Sequence, residues 1–514
     1  MEKSEVVIPK DNKGEDDENK ESINESDPLK PDNKNVKEKV KGKDETLLSR
    51  LKRIKQNITV EPIMMCYLMP SVLASLASQN LNLEKACLVN LNYSSEVCEA
   101  LKVRDIGNYT EQENNVQLLT AYIQSWSTII TTAFPVLIIM FVGAWSDKTG
   151  RRKACILLPI VGDLLSCISL MINTYFFYEL PAEVTAFTES VFSSFTGGWY
   201  TNYIGIFSYI SDITTVEDRT YRLGIVNLCM SLGYPIGSAF SGILLKWVGY
   251  YGAFSISISL YTFSLIYGFL SLKDTKLKTV ENKRGGCFAF FREFFDFTLV
   301  KDTFKVAFRK GPGNRRVRVC LILLAVFVIF GPTQGESAVM YLFARYQLNW
   351  DEVKFSIWST YCIVTNLIGT TFSISLFSSY LKLDDTILGI ISCTSKIVAS
   401  FAYGFARNDL EIYLAPLLEL LNGTSFIALR SIASKLVSEE EVGKINSLFG
   451  LAEAITPLIY GPLYTWFYIS TLNVLPGAVF ILGGLFTIPA IIQFGWLYFE
   501  HKKDRRRNIE KPIE

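Results

Sequence analysis

Long apolar runs recur along this chain of 514 residues, and each is long enough for one helix to cross a membrane. About 20 predominantly apolar residues suffice for such a helix. The chain is 49% hydrophobic and its mean hydropathy is +0.24, a balance typical of membrane proteins. The sequence therefore predicts an all-α membrane protein with twelve transmembrane helices. The runs lie at approximately 58–81, 117–141, 154–177, 182–210, 221–245, 250–271, 318–346, 352–378, 385–406, 410–434, 443–469 and 474–499.

The distribution of cations predicts which side of the membrane each connection faces. Lysine and arginine cluster before the first run, between the second and third, after the fourth, within 272–317 and after residue 499. All of these places lie on one side if the chain crosses the membrane twelve times. Because cytoplasmic connections carry an excess of Lys and Arg, we expect both termini in the cytosol.

Five segments follow from this topology. Residues 1–56 are polar and charged with almost no aromatic residues, so they cannot bury enough apolar surface to fold and are predicted to be a disordered cytosolic segment. Two bundles of six helices are predicted at 57–271 and 318–499. A cytosolic loop, 272–317, separates the bundles, and a cytosolic tail, 500–514, follows them.

The connection 82–116 falls on the opposite side of the membrane. It contains two glycosylation sequons, which begin at Asn92 and Asn108, and we expect both to be modified on that side. It also contains Cys87 and Cys98, which can form a disulfide in a compartment outside the cytosol. The sequence leaves open whether these two cysteines are paired.

Several classes of site are excluded by composition. His501 is the only histidine and lies in the tail, so no histidine zinc site, Ser-His-Asp triad or histidine proton relay can form within the membrane. The ten cysteines include no CxxC pair, and no phosphate-binding loop is present. We therefore expect no enzyme activity, no metal and no cofactor. The net charge of +1 favours no nucleic acid, so the expected partners are a small organic solute, protons and membrane lipid.

Residues 143–153, between the second and third runs, form the most distinctive motif. We interpret them as a tight turn in water, because an aspartate, two glycines and four cations in so short a stretch cannot face lipid. The glycines permit the turn, and the aspartate can cap the next helix and accept hydrogen bonds from the arginines. Asp212 can join this network through Arg219 or Arg222. The predicted gate network comprises Gly143, Asp147, Gly150, Arg151, Arg152, Asp212, Arg219 and Arg222.

The pattern Gly-x-x-x-Asp-Lys-x-Gly-Arg-Arg-Lys at 143–153 resembles the loop between helices 2 and 3 of the major facilitator superfamily of secondary transporters. The two halves of the chain also look alike, because a charged span end, an acidic turn and a cation recur about 223 residues apart. The resemblance implies two pseudo-symmetric six-helix bundles. It also implies that the gate network holds the cytosolic side closed in the outward-open state of an alternating-access cycle.

A narrower resemblance is to the solute carrier 46 family, which includes the proton-coupled folate transporters, and it covers roughly residues 58–500. The resemblance implies a small, anionic organic solute as substrate and a proton as coupling ion. The alternative is a membrane receptor or sensor that has the transporter fold but does not transport. The residues that carry the resemblance are Val60-Glu61-Pro62, the loop with the sequons, 143–153, Tyr209-Ile-Ser-Asp212, Arg219-Thr-Tyr-Arg222-Leu-Gly224, Asn349-Trp350-Asp351 and Leu429-Arg430-Ser-Ile-Ala-Ser-Lys435-Leu-Val.

Ionisable residues inside apolar spans are costly, usually face the bundle interior, and are therefore candidates for transport. We favour Glu336 and Arg430 as a substrate-binding pair, with Gln334 in the same span as Glu336 and the aromatic residues Trp199 and Tyr203 in the fourth span. Each charged residue can alternatively pair structurally with a neighbouring helix. The full set of such residues is Glu61, Asp163, Glu189, Asp212, Glu336, Lys396, Glu419, Arg430 and Glu453.

Two further expectations concern span 7 and the coupling proton. Residues 331–336 contain two glycines and a proline, so we predict a broken helix whose freed backbone groups can bind ligand. With no histidine in the spans, a carboxylate must carry the proton, and the candidates are Glu336, Glu189 and Asp163. Burial favours the neutral carboxyl group, which makes this feasible. As location, we favour the plasma membrane over the lysosomal membrane.

Overall fold

The computed structural model describes residues 59–214, 216–274, 294–295, 297–298, 301, 308–309, 314–381, 383–436 and 439–509. The predicted disordered segment 1–56 and most of the loop 272–317 lie outside these residues. The side chains of two predicted gate residues, Asp147 and Arg219, lie outside them as well. The described residues form helices and turns, without a strand.

The helices of the first half match the first six predicted spans. Spans 5 and 6 form one continuous element that kinks at Gly249, where φ is +65°. The elements are α1 (Glu61–Lys85) with a π-helical extension (Ala86–Asn90), α2 (Ser95–Val103), α3 (Thr110–Thr149), α4 (Arg152–Tyr175), α5 (Ala182–Phe195), α6 (Gly198–Ile213) and α7 (Val216–Ser271).

The second half repeats this order from span 7 to span 12. In both halves the fourth span is split into two helices, α5 and α6 in the first half and α11 and α12 in the second. The elements are α8 (Arg315–Gln347), α9 (Glu352–Ser373) with a π-helical extension (Ile374–Tyr380), α10 (Asp385–Phe405), α11 (Asp409–Leu418), α12 (Thr424–Lys435), α13 (Glu439–Thr471) and α14 (Ala478–Ile509).

Seven described helical segments are long and apolar enough to cross a membrane by length and composition. They belong to α3, α4, α7, α8, α9, α10 and α14. Every predicted span overlaps a described helix or a split pair of helices. The membrane fold is therefore supported by the helices, while the number of twelve crossings stays a prediction.

The predicted break in span 7 is wrong, because α8 runs without interruption through Gly331, Pro332 and Gly335. The two glycines have a packing role instead. A Cβ added at Gly331 would overlap the ring of Tyr460, and one at Gly335 would overlap the ring of Tyr464. The glycines thus let α8 and α13 approach closely, which is a common use of small residues between membrane helices.

The two halves share a hydrogen-bonding pattern as well as an element order. In the first half the Ser166 hydroxyl donates to the Glu189 carbonyl oxygen over 2.8 Å. In the second half the Ser395 hydroxyl donates to the Leu418 carbonyl oxygen over 2.5 Å. Both members of the second pair stand 229 positions after their counterparts. The third and fourth spans of each half are therefore joined in the same register.

The polar contacts described between the two halves cluster at one end of the molecule, which contains residues 86–109 and is called the loop end below. Here Cys87 and Cys98 form a disulfide that ties α2 to the end of α1. The Tyr341 hydroxyl donates to the Asn80 amide oxygen over 2.6 Å, and so joins α8 to α1. The opposite end, where α3 and α14 finish, is called the tail end.

Candidate transport cavity

A cavity of about 570 Å³ lies between the two halves. Helices α1 and α7 supply its wall in the first half, and α8, α9 and α10 supply most of its wall in the second half. A volume of this size is typical of small-molecule sites. The polar residues of the cavity wall include Ser75, Gln79, Ser238, Ser241, Thr333, Glu336, Ser337, Asn366, Lys396, Glu419 and Asn422.

Three charged side chains, from α8, α10 and the break between α11 and α12, meet in this wall. The Lys396 ammonium group is 2.6 Å from a carboxylate oxygen of Glu336 and 2.9 Å from one of Glu419. The side chain of Lys396 is 4% exposed, and that of Glu336 is 11% exposed. The Asn422 amide also donates to Glu419 over 3.0 Å. The charge cluster (Glu336, Lys396 and Glu419) is therefore almost enclosed by protein.

The split between α11 and α12 places Glu419 in this cluster. A break in a helix leaves backbone carbonyl groups without partners, and such groups must be satisfied inside a membrane. Two hydroxyl groups of α10 satisfy them, because Ser395 donates to the Leu418 carbonyl and Ser392 donates to the Asn422 carbonyl over 2.6 Å. Lys396 follows directly on the same helix and therefore reaches the side chain at the break.

A glycine on α14 makes room for the Glu336 carboxylate. A Cβ added at Gly483 would overlap the Oε1 atom of Glu336. This oxygen is buried and accepts no hydrogen bond within the described residues, whereas the second oxygen accepts from Lys396. The carboxylate thus keeps one buried oxygen available for a proton.

The structure does not bring Glu336 and Arg430 together as the substrate-binding pair predicted from the sequence. Arg430 instead lies 2.6 Å from a carboxylate oxygen of Glu453 on α13, and its side chain is 42% exposed. Its guanidinium carbon is 5.0 Å from the ring centre of Phe426. Arg430 does not reach Glu336 because it lies in α12, beyond the break. The residue that contacts Glu336 is Lys396 of α10.

Of the two predicted aromatic residues, Tyr203 lies near Arg430. Tyr203 is within electrostatic range of both Arg430 and Glu453. The ring centres of Trp199 and Tyr203 are 5.2 Å apart. Neither Trp199 nor Tyr203 is part of the lining of the cavity. Gln334, the remaining predicted substrate residue, is half-buried and is not part of that lining either.

The two predicted proton carriers of the first half lie away from the charge cluster. Glu189 accepts a hydrogen bond from the Ser78 hydroxyl on α1. Asp163 is hydrogen-bonded to Tyr67 and Ser193. Their described partners are hydroxyl groups, in contrast to the ammonium group that contacts Glu336.

Lys396 and Glu419 were recognised in the sequence as ionisable residues within spans, but their partnership with Glu336 was missed. The signal that points to it is the residue type, since an in-span lysine needs a carboxylate partner. The sequence does not show which of the in-span carboxylates faces which helix. Only the packing of α8, α10 and the α11–α12 break brings the three together.

The predicted gate motif is mostly helical and not a turn. Helix α3 continues to Thr149, and the chain turns only at Gly150, where φ is +71°, and Arg151. A left-handed conformation favours glycine, and helices often end on such a residue. The turn is short because α4 begins at Arg152, directly after these two residues.

Arg152 connects the motif to the end of α6. Its Nε atom is 2.8 Å from an Asp212 carboxylate oxygen, and its Nη1 atom donates to the Ser146 hydroxyl over 2.8 Å. Asp212 therefore joins the motif as expected, but through Arg152. Arg222 pairs with Glu61 over 3.3 Å, and thus ties α7 to the start of α1.

The loop end is closed by a buried ion cluster that was not predicted from the sequence. Glu113 on α3 lies 2.9 Å from Arg104 and 3.6 Å from Arg345 of α8. The side chains of these three residues are 1%, 5% and 7% exposed, respectively. We call this set the loop-end latch. Burial, followed by the charge of Arg345, lowers the pKa of the Arg104 guanidinium group.

Backbone contacts reinforce the latch across the two halves. Arg104 donates to the Arg345 carbonyl oxygen, and Arg345 donates to the Leu101 carbonyl oxygen over 2.8 Å. The Asn349 amide donates to the Arg104 carbonyl oxygen over 2.8 Å. Because Leu101 belongs to α2, the helix that the disulfide tethers, this short helix acts as a cap on the end of α8.

Comparisons with known proteins agree with this architecture. The chain is 23% identical to a probable peptidoglycan muropeptide transporter, SLC46, of Drosophila melanogaster over 88% of each chain. It is 27% identical to the lysosomal proton-coupled steroid conjugate and bile acid symporter SLC46A3 of Bos taurus, over 70% of this chain and 77% of the relative. Both relatives are solute carrier 46 proteins.

A solved structure shows the same fold at low identity. A POT family transporter in complex with 5-aminolevulinic acid superposes with a TM-score of 0.58 at 13% identity, over 87% of this chain and 99% of that chain. The family model of the Major Facilitator Superfamily matches residues 64–418, more than half of the sequence. The chain belongs to the Major Facilitator Superfamily.

Proposed function

We propose that this protein is a proton-coupled symporter of small organic anions that works by alternating access. The single observation that carries the proposal is the charge cluster in the wall of the cavity between the two halves. It holds one cation that can bind an anionic group and two carboxylates that can bind protons. Intramembrane charges are costly to keep, and their placement on a cavity favours a transport role over a structural one.

The requirement for a proton follows from the charges of the cluster. Glu336 and Glu419 carry two negative charges against the single positive charge of Lys396 when all three are ionised. A net charge in a largely buried site is strongly unfavourable, and binding one proton removes it. Glu189 and Asp163 offer a second place for protons in the first half, as predicted from the sequence.

The substrate class is supported by the relatives as well as by the cavity. The names of the two relatives give muropeptides in one case and steroid conjugates and bile acids in the other. Molecules of these classes commonly carry a carboxylate or sulfate group, which an ammonium group in a cavity can bind. For this protein we propose only the class of small organic anions, and neither of the individual substrates of the relatives.

Alternating access is supported by the two ends of the molecule. The loop-end latch joins the halves at the loop end in the described state, and we propose that substrate exchanges at the tail end in this state. We propose that the loop end faces the cell exterior or an organelle lumen and that both termini are cytosolic. Asn92 and Asn108 are exposed at the loop end, which suits the proposed glycosylation.

We retain the plasma membrane as the proposed location, with the lysosomal membrane as the competing one. The name of the Bos taurus relative places that protein in the lysosome. Surface biotinylation of a tagged protein, together with a lysosomal marker, separates the two locations. A protein found only with the lysosomal marker would contradict our proposal.

The function can be tested with purified protein in liposomes. We expect uptake of radiolabelled cholate or muramyl dipeptide to be faster when the compartment at the loop end is mildly acidic than when it is neutral. Empty liposomes correct for passive entry. Binding without flux at either pH would refute symport and favour the sensor that the sequence left as an alternative.

A further inference from the structure

We infer that Lys396 is the residue that recognises the anionic group of the substrate, and that it does so after protons have released it from Glu336 and Glu419. This inference deepens the proposed function and rests on it. It assigns the site for the substrate's negative charge to the second half of the molecule, at the junction of α8, α10 and the α11–α12 break.

The residues of the cavity wall support this assignment. Among the described residues that line the cavity, Lys396 is the one cation, and Glu336 and Glu419 are the two anions. The contribution of the first half is uncharged and includes Ser75 and Gln79. Arg430, the other candidate cation within a predicted span, lies outside this lining and is paired with Glu453. Lys396 is therefore the residue of this lining that attracts an anion entering the cavity.

In the described state the ammonium group of Lys396 is already paired with carboxylates of the protein. Both carboxylates contact the ammonium group, at 2.6 Å and 2.9 Å. An ammonium group has three donors, and its attraction to a carboxylate disappears when the carboxylate takes up a proton. A substrate carboxylate therefore competes with Glu336 and Glu419 for Lys396, and protonation decides the competition in favour of the substrate.

The balance of charge predicts the coupling ratio. With one proton bound, the cluster of Glu336, Lys396 and Glu419 is neutral. Adding a monovalent anion restores a charge of −1 unless a second proton binds to the other carboxylate. Each proton adds to a carboxylate oxygen, and no covalent bond of the substrate forms or breaks. One proton thus enters with each negative charge, and transport of a monoanion is electroneutral.

The test is a binding experiment on the full-length protein in detergent, with cholate and its uncharged methyl ester as probes. We expect the wild-type protein to bind cholate more tightly at mildly acidic than at neutral pH and to prefer cholate to the ester. Lys396→Gln should weaken cholate binding by roughly 10-fold or more and abolish the preference, because it removes a charge-assisted contact. Lys396→Arg should retain part of it.

Lys354→Gln is the matched control. Lys354 pairs with Asp409 over 3.4 Å, but its side chain is 57% exposed and it does not line the cavity. This variant should bind both probes as the wild-type protein does. A Lys396→Gln protein that still prefers cholate to the ester would overturn the inference while leaving the proposed transport function intact.

A second variant keeps the inference testable if Lys396→Gln does not fold. The double substitution Glu336→Gln and Glu419→Gln should leave Lys396 permanently available, so cholate binding should become independent of pH and stay tight at neutral pH. Retention of the wild-type pH dependence would refute the inference. Failure of the wild-type protein to bind or transport cholate or muramyl dipeptide would instead refute the proposed function itself.

Discussion

Replacing Glu113 by glutamine should open the loop end of the protein. In the described state this carboxylate lies between the guanidinium groups of Arg104 and Arg345, one from each half of the molecule. Glutamine has almost the same shape but no charge. The variant therefore leaves two buried cations facing each other without an anion, and it does so only in the state in which the loop end is closed.

The size of the effect follows from burial. Removing one partner of a buried ion pair costs about 3–5 kcal/mol, because an uncompensated charge remains. The glutamine oxygen and the backbone carbonyl groups that Arg104 and Arg345 already contact offset part of this cost. A net cost of about 2 kcal/mol shifts the ratio of open to closed protein roughly 30-fold. The groups reach water once the loop end opens, so the open state does not bear this cost.

Two asparagines provide a reporter of closure. The Asn114 amide donates to the Asn473 amide oxygen over 3.2 Å, so these side chains touch across the two halves at the loop end. Cysteines at both positions should form a disulfide quickly in the closed state. After cleavage at a protease site engineered into the loop 272–317, the disulfide keeps the halves together on a gel. The Glu113→Gln variant should cross-link more slowly, by at most roughly 30-fold, because the rate follows the fraction of closed protein.

Glu111→Gln provides the control for this substitution. Glu111 lies in the first turn of the same helix, but it is exposed and outside the latch. We expect its cross-linking rate to equal that of the unsubstituted cysteine pair. If Glu113→Gln cross-links at the same rate as Glu111→Gln, then the ion cluster does not hold the loop end closed and the latch interpretation must be abandoned.

Three further predictions concern packing, the disulfide and pH. Gly335→Ala should lower the thermal unfolding midpoint by several degrees, because its Cβ overlaps Tyr464, whereas Gly450→Ala, which meets nothing within 4 Å, should not. Cys98→Ser should cost about 2–3 kcal/mol of stability and abolish any effect of reductant on the midpoint. Glu336→Gln should flatten the rise of substrate uptake as pH falls, because one proton-binding carboxylate is lost; an unchanged pH profile would count against it as a coupling residue.

Apolar runs and glycine-rich motifs were sufficient to predict the position of most helices. A membrane-spanning run depends on local composition alone, so its position can be read from the sequence without knowledge of its neighbours. The connection of Asp212 to the 143–153 motif was also anticipated. The family resemblance predicted the major facilitator fold, and the match of the family model to residues 64–418 confirmed it.

The partners of buried charges could not be predicted in this way. Glu336 and Lys396 are 60 positions apart, and their contact depends on how α8 and α10 are rotated about their axes. The same limit applies to Gly331 and Gly335, whose sequence context suggested a helix break. Their function is to accommodate aromatic rings of α13, and nothing within α8 itself reveals those rings.

The repeat that relates the two halves explains why the anion site belongs to the second half. At the offset of 229 that relates Ser166 to Ser395, the counterpart of Lys396 is Cys167, which is buried within electrostatic range of Asp163 and Glu189. Both halves thus place two carboxylates around the same position of the duplicated scaffold, but only the second half has a cation there. Carboxylates with hydroxyl partners can take up protons, yet they repel an anion. The single change from a thiol to an ammonium group therefore separates a site that can only bind protons from one that can bind protons and an anionic substrate together.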